Sequence, residues 1–160
     1  MSDDTEPIKV SQSSLATVVL LEDDPYDVFF VRRALEKAGF ANPIIAFATA
    51  EQARRYLEES RPVALPALFV LDVRLADGET GLTFLRWVRQ QQSSLGSTPT
   101  MMLTGSESPV DRNEAEMLGV ASFLQKPVTE EAIVAAVQSL GLVVTSLSDA
   151  TTQRAINRQL

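Results

Sequence analysis

The 160-residue sequence contains no cysteine and no histidine. Without cysteine, the chain has no disulfide framework, no thiol nucleophile and no zinc–cysteine site. Without histidine, it has no imidazole general base, no imidazole metal ligand and no residue that could become a phosphohistidine. Any chemistry that this chain performs must therefore use other side chains.

Long apolar runs and an excess of positive charge are also missing. No stretch approaches the ~20 apolar residues of a membrane-spanning helix, and the first six residues, MSDDTE, are unlike a signal peptide. We therefore predict a soluble cytoplasmic protein with no membrane partner. The 14 Lys and Arg against 21 Asp and Glu give a net charge of −7. This balance argues against a nucleic-acid partner, which would call for a basic patch.

Charged residues follow three of the apolar runs. The run 67–71 is typical of a strand buried on both faces, and Asp72 follows it directly. A buried carboxylate is costly unless it is paired, so Asp72 suggests a metal or a chemical role. An earlier run ends in Glu22 and Asp23, and a later short run ends in Lys126. Open α/β sheets build their sites at the carboxyl ends of strands, so these residues predict one shared site.

Each of these residues also has an ordinary structural explanation. Glu22 and Asp23 could be charges at a helix N-terminus, and Asp72 could cap a turn. Lys126 could be a solvated lysine. Thr104, which follows the apolar residues 101–103, could be a strand residue without further role. Taken together, complementary charges at neighbouring strand ends favour a functional site.

Short apolar runs alternate with helical patterns along the chain, which predicts a parallel sheet covered on both faces. We predict an α/β fold with a doubly wound five-stranded sheet and right-handed crossovers. The predicted strands lie at 17–22, 44–48, 67–72, 99–104 and 121–124, and the predicted helices at 25–38, 50–60, 80–92, 109–118 and 129–140.

The pattern predicts one domain with two extensions. Residues 1–14 are polar and predict a flexible N-terminal extension, and residues 15–140 contain the five strands and helices. Residues 141–160 form a C-terminal extension with an apolar strip at Leu142, Val143, Val144 and Leu147. The strip either packs on its own domain or acts as a dimerisation arm on a second copy.

The four motifs together resemble the receiver domain of bacterial two-component response regulators. They are Glu22-Asp23, the lone strand-end Asp72, Thr104 after the fourth strand, and Lys126-Pro127 after the fifth. The resemblance covers about residues 16–140 and implies a flavodoxin-like strand order of 2-1-3-4-5.

A narrower resemblance lies mostly in the first 45 residues. The segments 21–25, 32–39 and 42–43, which read LEDDP, RRALEKAG and NP, are similar to the small stand-alone regulators paired with phytochrome photoreceptor kinases. This likeness implies a phytochrome-type histidine kinase as the partner.

The resemblance implies that Asp72 is the phosphoacceptor and that Mg²⁺ is the cofactor. Glu22, Asp23 and Asp72 would hold the ion with the backbone carbonyl of Arg74, since Mg²⁺ prefers oxygen ligands.

The resemblance also implies how the site switches. Lys126 would pair first with Asp72 and then with the phosphoryl group, and a cis peptide before Pro127 would aim it inward. Thr104 would contact the phosphoryl group, and Phe123 would turn inward as Thr104 moves, which changes a protein-binding surface. Phenylalanine at 123 replaces the tyrosine that is frequent in the family, so it contributes no hydroxyl.

One segment departs from the family pattern. Ala76 replaces the usual proline four positions after the acceptor, and the following glycine is displaced to Gly78, so the loop 74–81 is one residue longer than common. The sequence leaves open whether Asp77 or Glu79 faces the metal.

The predicted function is that of a stand-alone response regulator, phosphorylated by a partner histidine kinase, and not that of an enzyme. Its output would be protein binding, homodimerisation or onward transfer to a phosphotransfer protein. One alternative is an interaction module that keeps the fold without being phosphorylated. Another is a Mg²⁺-dependent phosphatase, but such enzymes usually place a second aspartate two residues after the first, where this chain has Arg74.

Overall fold

A computed structural model describes residues 16–59, 65–91, 94–105 and 108–140. The predicted extensions 1–14 and 141–160 lie outside the described residues. The strands are β1 (Val18–Leu21), β2 (Ile44–Phe47), β3 (Leu68–Asp72), β4 (Thr100–Thr104) and β5 (Ser122–Gln125). The helices are α1 (Pro25–Lys37), α2 (Ala50–Glu59), α3 (Gly81–Arg89), α4 (Pro109–Met117) and α5 (Glu130–Ser139), and a short 3₁₀ helix spans Ser94–Ser97.

The five strands form one parallel sheet in the order β2-β1-β3-β4-β5. This order confirms the predicted flavodoxin-like fold. Strands β1, β3 and β4 are buried along their whole length, whereas β2 and β5 are only partly buried because they form the two edges. The three central strands therefore bring their carboxyl ends together at one edge of a rigid core.

Alternate residues of each central strand face different layers of helices. Val18 and Leu20 pack against α1 and α5, whereas Val19 and Leu21 pack against α2, α3 and α4. Burial of each such side chain stabilises the fold by about 1.5–3 kcal/mol. The continuous apolar runs, without polar alternation, follow from having both faces of the sheet covered.

Capping side chains set where the helices begin. Asp24 accepts a hydrogen bond from the backbone N–H of Tyr26 at 2.8 Å, and Pro25 occupies the first position of α1. Ser108 and Thr129 cap α4 and α5 in the same way, since a side-chain oxygen satisfies a free N–H there. The predicted helices are confirmed, with ends that differ by one to three residues; α3, for example, ends at Arg89 and not at residue 92.

Arg89 makes a partly buried hydrogen-bond network that its sequence context did not predict. Its guanidinium donates to the carbonyl oxygens of Leu118 at 2.8 Å, and of Gly96 and Thr98 at 2.9 Å. Burial lowers the pKa of Arg89, and the carbonyl partners compensate the buried charge. The network ties the end of α3 to the segments before β4 and after α4.

None of the five helices in the described ranges has the length and apolar character needed to cross a membrane.

Candidate functional site

The fold brings the predicted site residues to one edge of the sheet. Glu22 and Asp23 follow β1, Asp72 ends β3, Thr104 ends β4 and Lys126 follows β5. The parallel register sets these ends side by side, with Asp72 opposite Leu103 on the neighbouring strand. Residues more than 100 positions apart in the chain thereby come into contact.

Three carboxylates form a compact cluster at this edge. One oxygen each from Glu22, Asp23 and Asp72 lies within 4.8 Å of the others. Glu22 is 2% exposed and Asp72 is 6% exposed, so water screens their mutual repulsion poorly. Such a cluster requires positive charge nearby.

Lys126 supplies that charge in the structure. Its ammonium nitrogen lies 2.7 Å from a carboxylate oxygen of Glu22 and 2.9 Å from one of Asp72. The backbone N–H of Lys126 donates to the carbonyl of Thr104, and its peptide bond to Pro127 is cis. These contacts hold the lysine over the acidic cluster.

Burial shifts the protonation of both partners. Burial raises the pKa of Glu22 to about 7, although hydrogen bonds from Lys126 and from the N–H of Asp24 oppose the rise. Burial alone would lower the pKa of Lys126, but its carboxylate hydrogen bonds prevail and raise that pKa. The pKa of Glu22 is higher in the folded chain than in the unfolded chain. The contribution of Glu22 to the free energy of unfolding therefore falls as the pH rises from 4.5 to about 7.

Asp27 is a site residue that the sequence analysis missed. Its carboxylate lies 2.9 Å from the ammonium group of Lys126, and its side chain is 39% exposed. Asp27 stands one helical turn after Asp23, so the continuation of the acidic motif into α1 was the available signal. It gives Lys126 a third partner on the side facing solvent.

The long loop after β3 folds back on the acidic cluster. The backbone N–H of Ala76 donates to Asp23 at 3.1 Å, and that of Arg74 donates to Asp72 at 3.2 Å. Glu79 pairs with Arg54 of α2 at 3.1 Å, and Asp77 accepts from the N–H of Glu79. Neither Asp77 nor Glu79 belongs to the carboxylate cluster of Glu22, Asp23 and Asp72.

The backbone of Arg74 faces the cluster for a geometric reason. Arg74 forms an antiparallel bridge with Thr80, but the bridging hydrogen bonds belong to their neighbours, Leu75 to Glu79 and Gly81 to Val73. In such a pair the N–H and C=O of Arg74 point away from Thr80. Since its N–H meets Asp72, its carbonyl faces the same side.

Thr104 and Phe123 lie beside the acidic cluster and not within it. Thr104 is buried at the end of β4, and Phe123 is partly buried on β5. Both line a cavity of about 300 Å³ with residues of α4, and the guanidinium of Arg112 lies 5.8 Å from the centre of the Phe123 ring. This cavity gives the aromatic ring space beside Thr104.

An exposed aromatic surface flanks the other side of Lys126. Tyr26 is 85% exposed and Phe29 is 66% exposed on α1. Both line a cavity of about 370 Å³, and Lys126 and Pro127 also line this cavity. Exposed aromatic side chains are enriched in protein–protein interfaces.

The fold and the site define a class of protein. The family model for the response regulator receiver domain matches residues 18–138, and the chain belongs to this family of two-component signalling proteins.

Within that family, the chain is similar to regulators associated with phytochromes. The solved bacteriophytochrome response regulator RtBRR is 34% identical with a TM-score of 0.70, over 80% of this chain and 79% of that one. The bacteriophytochrome response regulator AtBRR is 33% identical with a TM-score of 0.67, over 80% and 94% of the two chains.

Similar curated proteins are regulators of diverse length. The probable methanogenesis regulatory protein FilR2 of Methanothrix harundinacea is 30% identical over 71% of this chain and 74% of its own length. Among the similar transcriptional regulators, the chain spans only 24% to 48% of their length. The match to those longer proteins therefore concerns the receiver alone.

Proposed function

We propose that this protein is a response regulator that a histidine kinase phosphorylates on Asp72 in a Mg²⁺-dependent reaction. The observation that carries this proposal is the position of Asp72. Its carboxylate lies at the end of a central strand, within a cluster of three acids and 2.9 Å from the ammonium group of Lys126. A nucleophilic carboxylate beside a cation site is the arrangement that phosphoryl transfer to a side chain requires.

The donor set fits Mg²⁺. The ligands would be Glu22, Asp23 and Asp72, with the carbonyl of Arg74 facing the same side, and all of them are the oxygen atoms that this ion prefers. Burial raises the pKa of Glu22 because it disfavours the charged carboxylate. A second positive charge beside Lys126 would stabilise that carboxylate. When bound, the ion would neutralise negative charge on the acceptor and on the incoming phosphoryl group.

The transfer itself uses one oxygen of Asp72. That oxygen forms a bond to phosphorus while the bond from phosphorus to the donor's imidazole nitrogen breaks. The nitrogen keeps the electron pair and takes up one proton from water, so that the histidine leaves as neutral imidazole. Lys126 lies where it can follow the developing charge from Asp72 to the phosphoryl oxygens.

Thr104 and Phe123 would couple phosphorylation of Asp72 to a change at the protein surface. A phosphoryl group on Asp72 attracts the hydroxyl of Thr104, and the cavity shared by Thr104 and Phe123 lets the ring turn inward. The surface formed by α4, β5 and α5 then changes, and a protein partner reads it.

Acetyl phosphate with Mg²⁺, followed by intact mass spectrometry, tests the proposal. We expect the wild-type protein to gain the mass of one phosphoryl group and to lose that gain when the metal is chelated. A wild-type protein that gains no mass would support the alternative of a non-phosphorylated interaction module. Steady turnover of a generic phosphate ester would instead support a phosphatase and contradict our view that the chain is not an enzyme.

Lys126→Ala should retain Mg²⁺ binding, but phosphorylation of this variant should no longer change the surface formed by α4, β5 and α5. Lys126 occupies oxygens of Glu22 and Asp72, so its removal takes no ligand from the ion. Titration of Mg²⁺ and hydrogen exchange of α4, β5 and α5 after phosphorylation would measure the two effects. Arg55→Ala is the control, because Arg55 pairs with Glu51 and Glu59 of its own helix α2, which is not one of the segments whose exchange is measured. A normal exchange response in Lys126→Ala would remove the lysine from the signalling route.

We propose that the kinase docks on the aromatic surface of α1, which adjoins the cavity containing Lys126. Phe29→Ala should slow transfer from a phosphorylated cognate kinase about tenfold, the typical effect of removing an exposed aromatic anchor. Labelling by acetyl phosphate should be unchanged, because the small donor needs no docking surface. Met117→Ala, at an 88% exposed position of α4, provides the control. Equal kinase transfer in both variants would place the docking surface elsewhere.

The similarity to bacteriophytochrome response regulators supports a phytochrome-type kinase as the partner. A pull-down against histidine kinases encoded near this protein would identify it. We further propose a cytoplasmic protein that does not bind nucleic acid, in line with its net charge of −7. Its output is protein binding or transfer to a phosphotransfer protein.

We also propose a homodimer formed through the C-terminal extension 141–160, whose apolar strip favours association. Deleting this extension should lower the dimer population in sedimentation velocity. Deletion of the polar extension 1–14 is the control and should leave sedimentation unaffected. If both deletions sediment like the full chain, the C-terminal extension is not the interface.

A further inference from the structure

Arg74 links the acceptor loop to helix α4. Its backbone N–H donates to Asp72 at 3.2 Å, whereas its guanidinium lies 3.4 Å from the carboxylate of Asp111 in the first turn of α4. The Arg74 side chain is 68% exposed and that of Asp111 is 17% exposed. Arg74 is therefore anchored beside the acceptor but directs its charge away from it.

The contact between Arg74 and Asp111 is weak enough for the guanidinium to leave Asp111 for another anionic partner. At 3.4 Å it is long for a charge-assisted hydrogen bond, and exposed ion pairs of this kind contribute little to stability. Asp111 keeps other contacts in α4, since its own N–H donates to the hydroxyl of Ser108. Loss of the arginine would leave the helix start capped.

A phosphoryl group on Asp72 would compete for the same guanidinium. Because the N–H of Arg74 already touches the Asp72 carboxylate, the flexible side chain starts within reach of any group attached to it. The guanidinium fork matches phosphoryl oxygens better than a single carboxylate oxygen, and a phosphoryl group carries more negative charge than Asp111.

We infer that Arg74 is a second cationic phosphoryl-binding residue, which Asp111 holds away from the acceptor until the phosphoryl group is present. The inference rests on the proposed phosphorylation of Asp72 and adds to the role of Lys126. It assigns Asp111 the opposite role, that of a competitor for the arginine.

Binding of beryllofluoride, a phosphoryl mimic, tests this inference. Its apparent affinity at fixed Mg²⁺ is measured from the bound and free signals in fluorine NMR. Arg74→Gln should bind about tenfold more weakly, because a charge-assisted contact is lost. Asp111→Asn should bind about two- to fivefold more tightly, because the arginine is released from an exposed ion pair. The double variant should bind like Arg74→Gln.

Two matched controls separate these contacts from general charge effects. Arg55→Gln removes a positive charge from α2, where Arg55 pairs only with glutamates of its own helix among the described contacts. Glu116→Gln removes a negative charge from the exposed face of α4. Both should bind beryllofluoride like the wild-type protein.

The outcomes that overturn the inference are distinct from failure of the proposed function. If the wild-type protein binds no beryllofluoride, the proposed function fails and this inference fails with it. If the wild-type protein binds, three results overturn the inference alone: Arg74→Gln binds normally, Asp111→Asn does not bind more tightly, or Glu116→Gln tightens binding as much as Asp111→Asn.

Discussion

Asp72→Asn should abolish the gain of a phosphoryl group from acetyl phosphate while the protein remains folded. The amide oxygen is a poor nucleophile and cannot form the acyl phosphate that the carboxylate forms. The substitution also removes one of the buried negative charges beside Glu22. We therefore expect the thermal midpoint without metal to stay the same or to rise, and intact mass and thermal unfolding would measure both effects.

Asp77→Asn is the matched control for this substitution. Asp77 lies in the same loop, and among the described contacts its side chain accepts one hydrogen bond, from the N–H of Glu79, which asparagine can also accept. This variant should be labelled like the wild-type protein. Labelling of Asp72→Asn at a normal rate would refute the assignment of Asp72, and fragmentation of the labelled protein would then show which other residue accepts the group.

Gly81→Ala should destabilise the protein by about 3 kcal/mol, near the upper end of the usual cost of overpacking a core. A Cβ atom at position 81 would stand 2.2 Å from the carbonyl oxygen of Asp72 and 3.1 Å from its carbonyl carbon. Both are backbone atoms of a buried central strand, so they cannot rotate away. Urea unfolding should show a lower midpoint with an unchanged slope.

The same substitution should also slow phosphorylation, because any relief of the clash moves the backbone of the acceptor. Gly105→Ala is the control for stability, since a Cβ there meets no atom within 4 Å. Its unfolding midpoint should remain within experimental error of the wild-type value. An unfolding midpoint for Gly81→Ala equal to that of Gly105→Ala would mean that α3 shifts freely against β3, and it would contradict the close approach of Gly81 to the backbone of Asp72.

Local sequence was sufficient to predict the elements of the fold. Continuous apolar runs such as 67–71 predicted strands buried on both faces. Two helices were predicted to begin at residues 25 and 129, and the structure places Pro25 at the first position of α1 and Thr129 as the N-cap of α5. The ends were less certain, as at Arg89, where α3 ends before residue 92. Helix ends depend on tertiary partners, and Arg89 has three carbonyl partners in the segments before β4 and after α4.

The composition of the site could also be predicted, but several of its contacts could not. The acidic pair 22–23, Asp72 and Lys126 stood out because charge at the end of a buried strand is unusual. Asp27 looked like an ordinary residue of an amphipathic helix until the structure placed it beside Lys126. Glu79 was a candidate for the metal, yet it pairs with Arg54 of α2.

The sequence by itself determined which groups are available for chemistry, because the absence of cysteine and histidine and the placement of acids after strands are properties of local composition. Only the tertiary structure decided how their charges are paired. Coulombic attraction depends on the distance between the charges and on their burial. Arg74 and Asp111 are 37 positions apart in the chain, so only the folded sheet and its loops set both quantities for this pair.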